Sequence, residues 1–313
     1  MTTTTPLPQL EGRLMLTDGG LETTLVFHDG LELPAFAAFV LLRDEAGTAR
    51  LRSYYEGYAA IAERHGTGLV LESPTWRASH GWAEDTGLEP DEVDELNRKA
   101  IALLHEVRAA WEARVHPIVV SGCVGPEGDG YSPSAALDEH AAQAYHARQV
   151  AQFRETGVDL VTAITMTYAE EAIGITRAAQ PAGLPVAISF TVETDGRLPS
   201  GETLADAIAR VDAATGDGPA YYMVNCAHPT HFEAVLEPEA SWTRRIRGLR
   251  ANASALSHAE LDEATELDDG DPEDLGARHA RLRAALPHVT VLGGCCGTDE
   301  RHVDAIARAW AAG

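Results

Sequence analysis

Eight short apolar runs, each followed by a helical pattern or a long excursion, constrain this chain more than any other feature. The runs cover 13–17, 69–71, 117–121, 158–164, 185–190, 221–224, 246–251 and 289–292. They are near-continuous in apolar residues rather than alternating, as strands covered on both faces must be. Apolar residues at helical spacing fill 51–65, 91–113, 135–156, 169–179, 203–215, 274–286 and 302–310. The acidic segment 261–272 predicts an exposed loop. Strand and helix in succession predict a parallel sheet of the α/β class, and eight such units close it into a (β/α)8 TIM barrel. An open doubly wound sheet is the competitor, but no Gly-x-Gly-x-x-Gly follows the first run. At 313 residues, without internal repeats or a low-complexity linker, the chain reads as one domain, 1–313, with 1–10 a flexible tail.

Charge narrows the partners. With 48 acidic against 24 basic side chains the formal charge is −24, which argues against nucleic acid and anionic membrane surfaces. No apolar run is long enough to span a bilayer. The first residues lack the basic and apolar regions of a signal peptide, and four cysteines with two adjacent do not form a disulfide framework, so a cytoplasmic protein is expected. Small molecules are the expected partners, and a homo-oligomer is allowed. Lys99 is the single lysine and lies on an expected exposed helix, which argues against Schiff-base chemistry.

In a barrel of this kind the chemistry gathers at the C-terminal ends of the strands. Asp18, Glu72, Cys123, Ile164, Cys226, Asn252, Cys295 and Cys296 all fall at or just past those ends, so residues scattered in sequence converge on one mouth. Vicinal cysteines such as Cys295 and Cys296 are poorly placed to bridge each other. With Cys226 as a third sulfur they can bind one soft ion, and three thiolates with one open position describe a reactive zinc site better than a closed structural one. The bland alternative is three buried free thiols. Cys123, in a glycine-rich turn, reads as a packed small side chain. His228, His231 and His302 flank the cysteine motifs and read as capping or surface residues. Residues 128–133 read as a loop over the mouth.

These residues resemble the homocysteine S-methyltransferase family across nearly the whole chain, from Asp18-Gly19-Gly20-Leu21-Glu22-Thr23 to Gly294-Cys295-Cys296-Gly297-Thr298. The paired cysteines after two glycines, with Asn225-Cys226 upstream, carry most of the likeness. Glu72-Ser73-Pro74-Thr75-Trp76 resembles the Glu-Thr-Asn-Thr-Phe segment of the cobalamin-dependent methionine synthase homocysteine domain, and Gly125-Pro126 and Ser189-Phe190 also match. The resemblance implies that Cys226, Cys295 and Cys296 hold Zn2+, that a substrate thiolate takes the open position, and that Asn252 stands in when substrate is absent. It further implies that Asp18 and Gly19 lie against the substrate amino acid, with Glu72, Thr75, Trp76 and Ser189 lining its site. The implied reaction moves a methyl group from a sulfonium donor, S-methylmethionine or S-adenosylmethionine, to the thiol of L-homocysteine. No general base beyond the metal is required.

Two departures bear on the acceptor. Many family members place a glutamate after the fourth strand to hold the substrate ammonium, whereas this chain has Ile164-Thr165-Met166-Thr167 there; Gly297 stands where many have arginine. Either Glu72 or backbone carbonyls hold the ammonium, or the acceptor is a different thiol or selenol. Outside this class, the cysteines would form a redox- or metal-sensing site on an idle barrel. A metal-dependent hydrolase lacks its usual His/Asp ligand set here.

Overall fold

A computed structural model describes residues 6–131 and 136–312. Eight parallel strands close into a barrel in chain order: β1 (Met15–Leu16), β2 (Gly68–Glu72), β3 (Ile118–Val124), β4 (Leu160–Met166), β5 (Val186–Phe190), β6 (Tyr221–Asn225), β7 (Ile246–Ala251) and β8 (Val291–Gly294), with β8 pairing β1. Around them pack α1 (Glu45–His65), α2 (Pro90–Trp111), α3 (Glu139–Thr156), α4 (Ala169–Ala182), α5 (Leu204–Thr215), α6 (Pro272–Ala285) and α7 (Glu300–Ala312). The expected α/β barrel is therefore present.

Cap chemistry sets the helix ends and explains most shifts from the expected bounds. Asp44 accepts a hydrogen bond from Gly47 N and starts α1 a turn and a half before the apolar spacing does. Asp138 accepts from the amides of His140 and Ala141, so α3 begins at Glu139 rather than 135; residue 135 itself lies outside the described residues. Helices do not follow β6 and β7 directly. Short helical turns, first Pro229–Phe232, fill the β6–β7 connection, and the short helix His258–Asp262, closed by a capping box between Ser257 and Glu260, precedes α6 in the β7–β8 connection. The acidic stretch after 262 forms a loop above the mouth.

The barrel interior changes character along its axis. Toward the N-terminal end Met15, Val70, Val119, Leu160, Tyr221, Met223 and Val291 pack together, and Leu7 closes the floor. Gln9 Nε2 donates to Tyr221 Oη at 3.3 Å and is fully buried. Residues 1–5 of the expected tail lie outside the described residues, whereas Leu7 and Gln9 are buried against the barrel and Pro8–Glu11 form a 3-10 turn whose last two residues are exposed. Two residues further along, the inward positions at β1 to β7 turn polar, with Thr17, Glu72, Ser121, Thr162, Ser189, Asn225 and Arg250, while β8 has Gly293. That polar layer is the base of the site.

Candidate active site

Three sulfurs meet at the mouth. The Sγ atoms of Cys226, Cys295 and Cys296 all lie within 4.8 Å of one another, with Cys226 and Cys296 3.8 Å apart. Cys226 follows β6 and the vicinal pair follows β8. The β8 turn is fixed by its own backbone: Cys295 N donates to Ala251 O at 2.8 Å, and Thr298 N and Oγ1 both donate to Cys295 O. Gly294 cannot carry a side chain there, because a Cβ would run into Thr298. Gly297 adopts φ +77°, a conformation that an arginine at this position would strain.

The Cys226 end is held under strain. Cys226 has φ +51° and Thr165, at the end of β4, has φ +67°; neither is glycine. Asn225 pins both. Its Oδ1 accepts from Thr165 N at 3.0 Å and from Ser189 Oγ at 2.6 Å, while its Nδ2 donates to Thr165 Oγ1 at 2.9 Å and lies 3.8 Å from Cys295 Sγ. His258 Nε2 sits 2.7 Å from Cys226 O and stacks on the ring of Tyr131, centroids 4.2 Å apart. Tyr131 Oη in turn lies 3.4 Å from Cys296 Sγ and 3.6 Å from Cys226 Sγ.

These contacts polarise the triad. Hydrogen bonds from Cys295 and Cys296, with others from Tyr131 and Thr165, hold the Cys226 thiol well below its ordinary range. The same sharing with Cys226 pushes Cys295 up to about 12 and raises Cys296 also. Three sulfurs that compete for protons in this way, Cys226 buried and the vicinal pair partly exposed, are suited to exchange them for one cation. Asn252 adds to the fit. Its backbone lies between the two cysteine motifs, with its amide donating to Ala227 O and the next amide to Cys296 O. Both polar atoms of its carboxamide are buried without a partner, which is uncommon for such groups. His228, His231 and His302 stand outside the cluster: His228 caps the turn after it, His231 bonds Ala255 O, and His302 bonds Asp269 O. Cys123 is buried on the cavity wall and not part of the triad.

The sulfurs open into a cavity of about 450 Å³, whose walls include Asp18, Gly19, Glu22, Glu72, Trp76 and Arg250. Asp18 already has three donors: it accepts from Arg250 at 2.7 Å, from Thr17 Oγ1 at 2.9 Å and from Tyr54 Oη at 3.2 Å. Glu72 lies at the bottom beside the Ser121 and Thr162 hydroxyls; burial raises its carboxyl pKa and the Arg250 charge opposes that. Trp76 donates from Nε1 to Ile164 O at 3.1 Å and forms a wall. Of the expected lining residues, Thr75 and Ser189 do not reach the cavity. Thr75 Oγ1 donates to Cys123 O and ties the β2 loop to β3, and Ser189 supports Asn225. Sequence reading overlooked Glu22, Arg250, Tyr131 and His258. Tyr131 lay within the loop expected over the mouth, Glu22 within the Asp18–Thr23 motif, and Arg250 was a charge in an apolar strand; His258 left no signal.

The sequence matches the homocysteine S-methyltransferase family over residues 15–310. It is 25% identical over 265 residues to Homocysteine S-methyltransferase 4 of Zea mays, covering 77% of this chain and 75% of that protein. The Escherichia coli homocysteine methyltransferase MmuM has the same fold. Its metallated form aligns at a TM-score of 0.75 and 20% identity over 96% of this chain and 98% of that one. Its oxidized form aligns at 0.76 and 21%, over 97% and 99%. With a match that spans the barrel from β1 to α7, the chain is a methyltransferase belonging to the homocysteine S-methyltransferase family.

Proposed function

We propose that this chain is a zinc-dependent enzyme that transfers a methyl group from a sulfonium donor, S-methylmethionine or S-adenosylmethionine, to the thiol of L-homocysteine, giving methionine. The observation that carries this reading is the meeting of Cys226, Cys295 and Cys296 in the wall of the cavity at the barrel mouth. A zinc ion held there, with Asn252 as a ligand in the absence of substrate, would keep the acceptor sulfur as a thiolate at neutral pH, where a free thiol with a pKa of about 8.5 is mostly protonated. The protein supplies the rest. Asn225 and His258 fix the Cys226 backbone, and Asp18, Gly19, Glu72 and Trp76 form the acceptor side of the cavity, with Thr75 and Ser189 supporting it from behind. The acceptor sulfur's electron pair forms the new S–CH3 bond as the donor's S–CH3 bond breaks, its pair leaving with the neutral thioether. Three thiolates beside the reacting sulfur favour this step, because a cationic donor loses its charge as the methyl group moves.

Four free cysteines fit a reducing cytoplasm as the working compartment. The absence of a carboxylate on the β4 end favours one second reading, an acceptor thiol or selenol other than homocysteine. Methionine formation, measured with each donor before and after stringent metal removal and zinc re-addition, tests the proposal. Activity that survives metal removal unchanged would refute it; methyl transfer to other thiols but not to homocysteine would select the second reading.

A further inference from the structure

Of the carboxylates that line the cavity, three are not on exposed residues, Asp18, Glu22 and Glu72, and their partners differ. Asp18 is committed to Arg250, Thr17 and Tyr54. Glu72 lies in the polar layer with one oxygen buried and without a partner. Glu22, in the helical turn Leu21–Thr23 just after β1, has no ion-pair partner within reach among the described residues, and no hydrogen bond to another side chain. The adjacent Thr23 Oγ1 accepts from Gly297 N at 3.1 Å, so this turn lies on the sulfur side of the cavity, with Asp18, Cys295 and Arg250 as charged neighbours of Glu22. Arg250 is bonded to Asp18, and Arg77 spends a guanidinium N–H on Gly128 O while stacking between Trp76 and Trp82. Neither arginine forms an ion pair with Glu22, although the Arg250 charge partly offsets the rise in its carboxyl pKa.

A cavity with two under-partnered carboxylates calls for a cation from outside. The β4 end offers no carboxylate, and Ile164 O there already accepts from Trp76. We propose that Glu22 is the residue that receives the acceptor's ammonium group, bracketing it from the rim while Glu72 faces it from the barrel. This rests on the reading of the cavity as an acceptor site and names the group that selects an amine-bearing thiol. The carboxyl of Glu22 is pushed up to about 7, chiefly by burial, with Asp18 and Cys295 adding to the shift; an ammonium beside it would reverse that.

The test is binding rather than turnover. L-homocysteine and 4-mercaptobutyrate, which is the same thiol without the amine, are titrated calorimetrically into zinc-loaded wild type and Glu22→Gln, with metal content and melting temperature as controls. Loss of one charge-assisted hydrogen bond should weaken homocysteine by about 10- to 100-fold. Binding of 4-mercaptobutyrate should be unchanged or tighter. Equal weakening of both thiols, unaltered homocysteine binding, or a wild type that does not prefer homocysteine would each overturn the assignment. Methyl transfer is scored separately, so an enzyme that binds homocysteine through Glu22 but makes no methionine would sink the proposed reaction and leave this inference standing.

Discussion

Cys226 and Thr165 both sit at positive φ, and Asn225 hydrogen-bonds across to Thr165 from the position before Cys226. Strain of this kind, of order 1–3 kcal/mol per residue, persists only where the surroundings over-determine it. Asn225→Ala removes the pin without touching a sulfur. The expected outcome is a metal affinity about 10- to 100-fold lower by chelator competition, with far-UV circular dichroism unchanged. Asn225→Asp keeps the acceptor but loses the donor to Thr165, and should fall between. Arg250 plays a different part. It is 6% exposed and paired with Asp18 at 2.7 Å, with Glu72 nearby. Arg250→Leu leaves a buried carboxylate uncompensated and should cost about 3–5 kcal/mol in urea unfolding. Adding Asp18→Asn should restore part of that, since the orphaned charge is the main cost.

At the scale of elements, the loop after β3 is anchored from outside the barrel. Glu171, 1% exposed on α4, accepts from Glu127 N at 2.7 Å and lies 2.9 Å from His146 Nε2 on α3. That pair joins α3, α4 and the loop that carries Tyr131 to the sulfurs. Glu171→Ala should speed amide exchange over 124–131 by mass spectrometry while β6 and β8 stay protected, and should lower stability by about 1–3 kcal/mol through the orphaned histidine. Exchange that rises equally everywhere would show that the pair holds the helices rather than the loop. The strands were legible because parallel strands buried on both faces read as apolar runs; even β7 showed through its Arg250. The three sulfurs were legible because their positions at strand ends bring them together in a barrel. What stayed hidden depends on side-chain direction and loop path. Ser189 and Thr75 sit at the right strand ends but turn toward Asn225 and Cys123, while Tyr131 reaches the site from a loop and His258 from the first turn of a short helix, and no periodicity encodes the course of either connection.

Across the whole molecule, the acidic surplus and the buried histidines pull stability in opposite directions as pH falls. Protonating carboxylates reduces the formal charge of −24 and relieves self-repulsion. His279 works against that. It is fully buried on α6, its Nδ1 bonded to Leu275 O at 2.9 Å and its Nε2 without a partner. Burial lowers its pKa to about 4, against about 6.5 in an unfolded chain. Between those values the unfolded state takes up a proton that the folded state refuses, so stability is present above 6.5 and drains away as pH falls toward 4. From pH 7 to pH 5 the loss at this one site is about 2 kcal/mol. His228, lowered to about 4 largely by burial, adds a loss of the same sign. His279→Asn keeps a donor for Leu275 O but does not titrate. Its cost at pH 7, where a cavity replaces the ring, should therefore shrink by about 2 kcal/mol at pH 5 when urea midpoints are compared. A difference that stays constant across that range would mean the folded chain accepts the proton at His279, and the acid limb would then belong to ion pairs such as Asp18–Arg250.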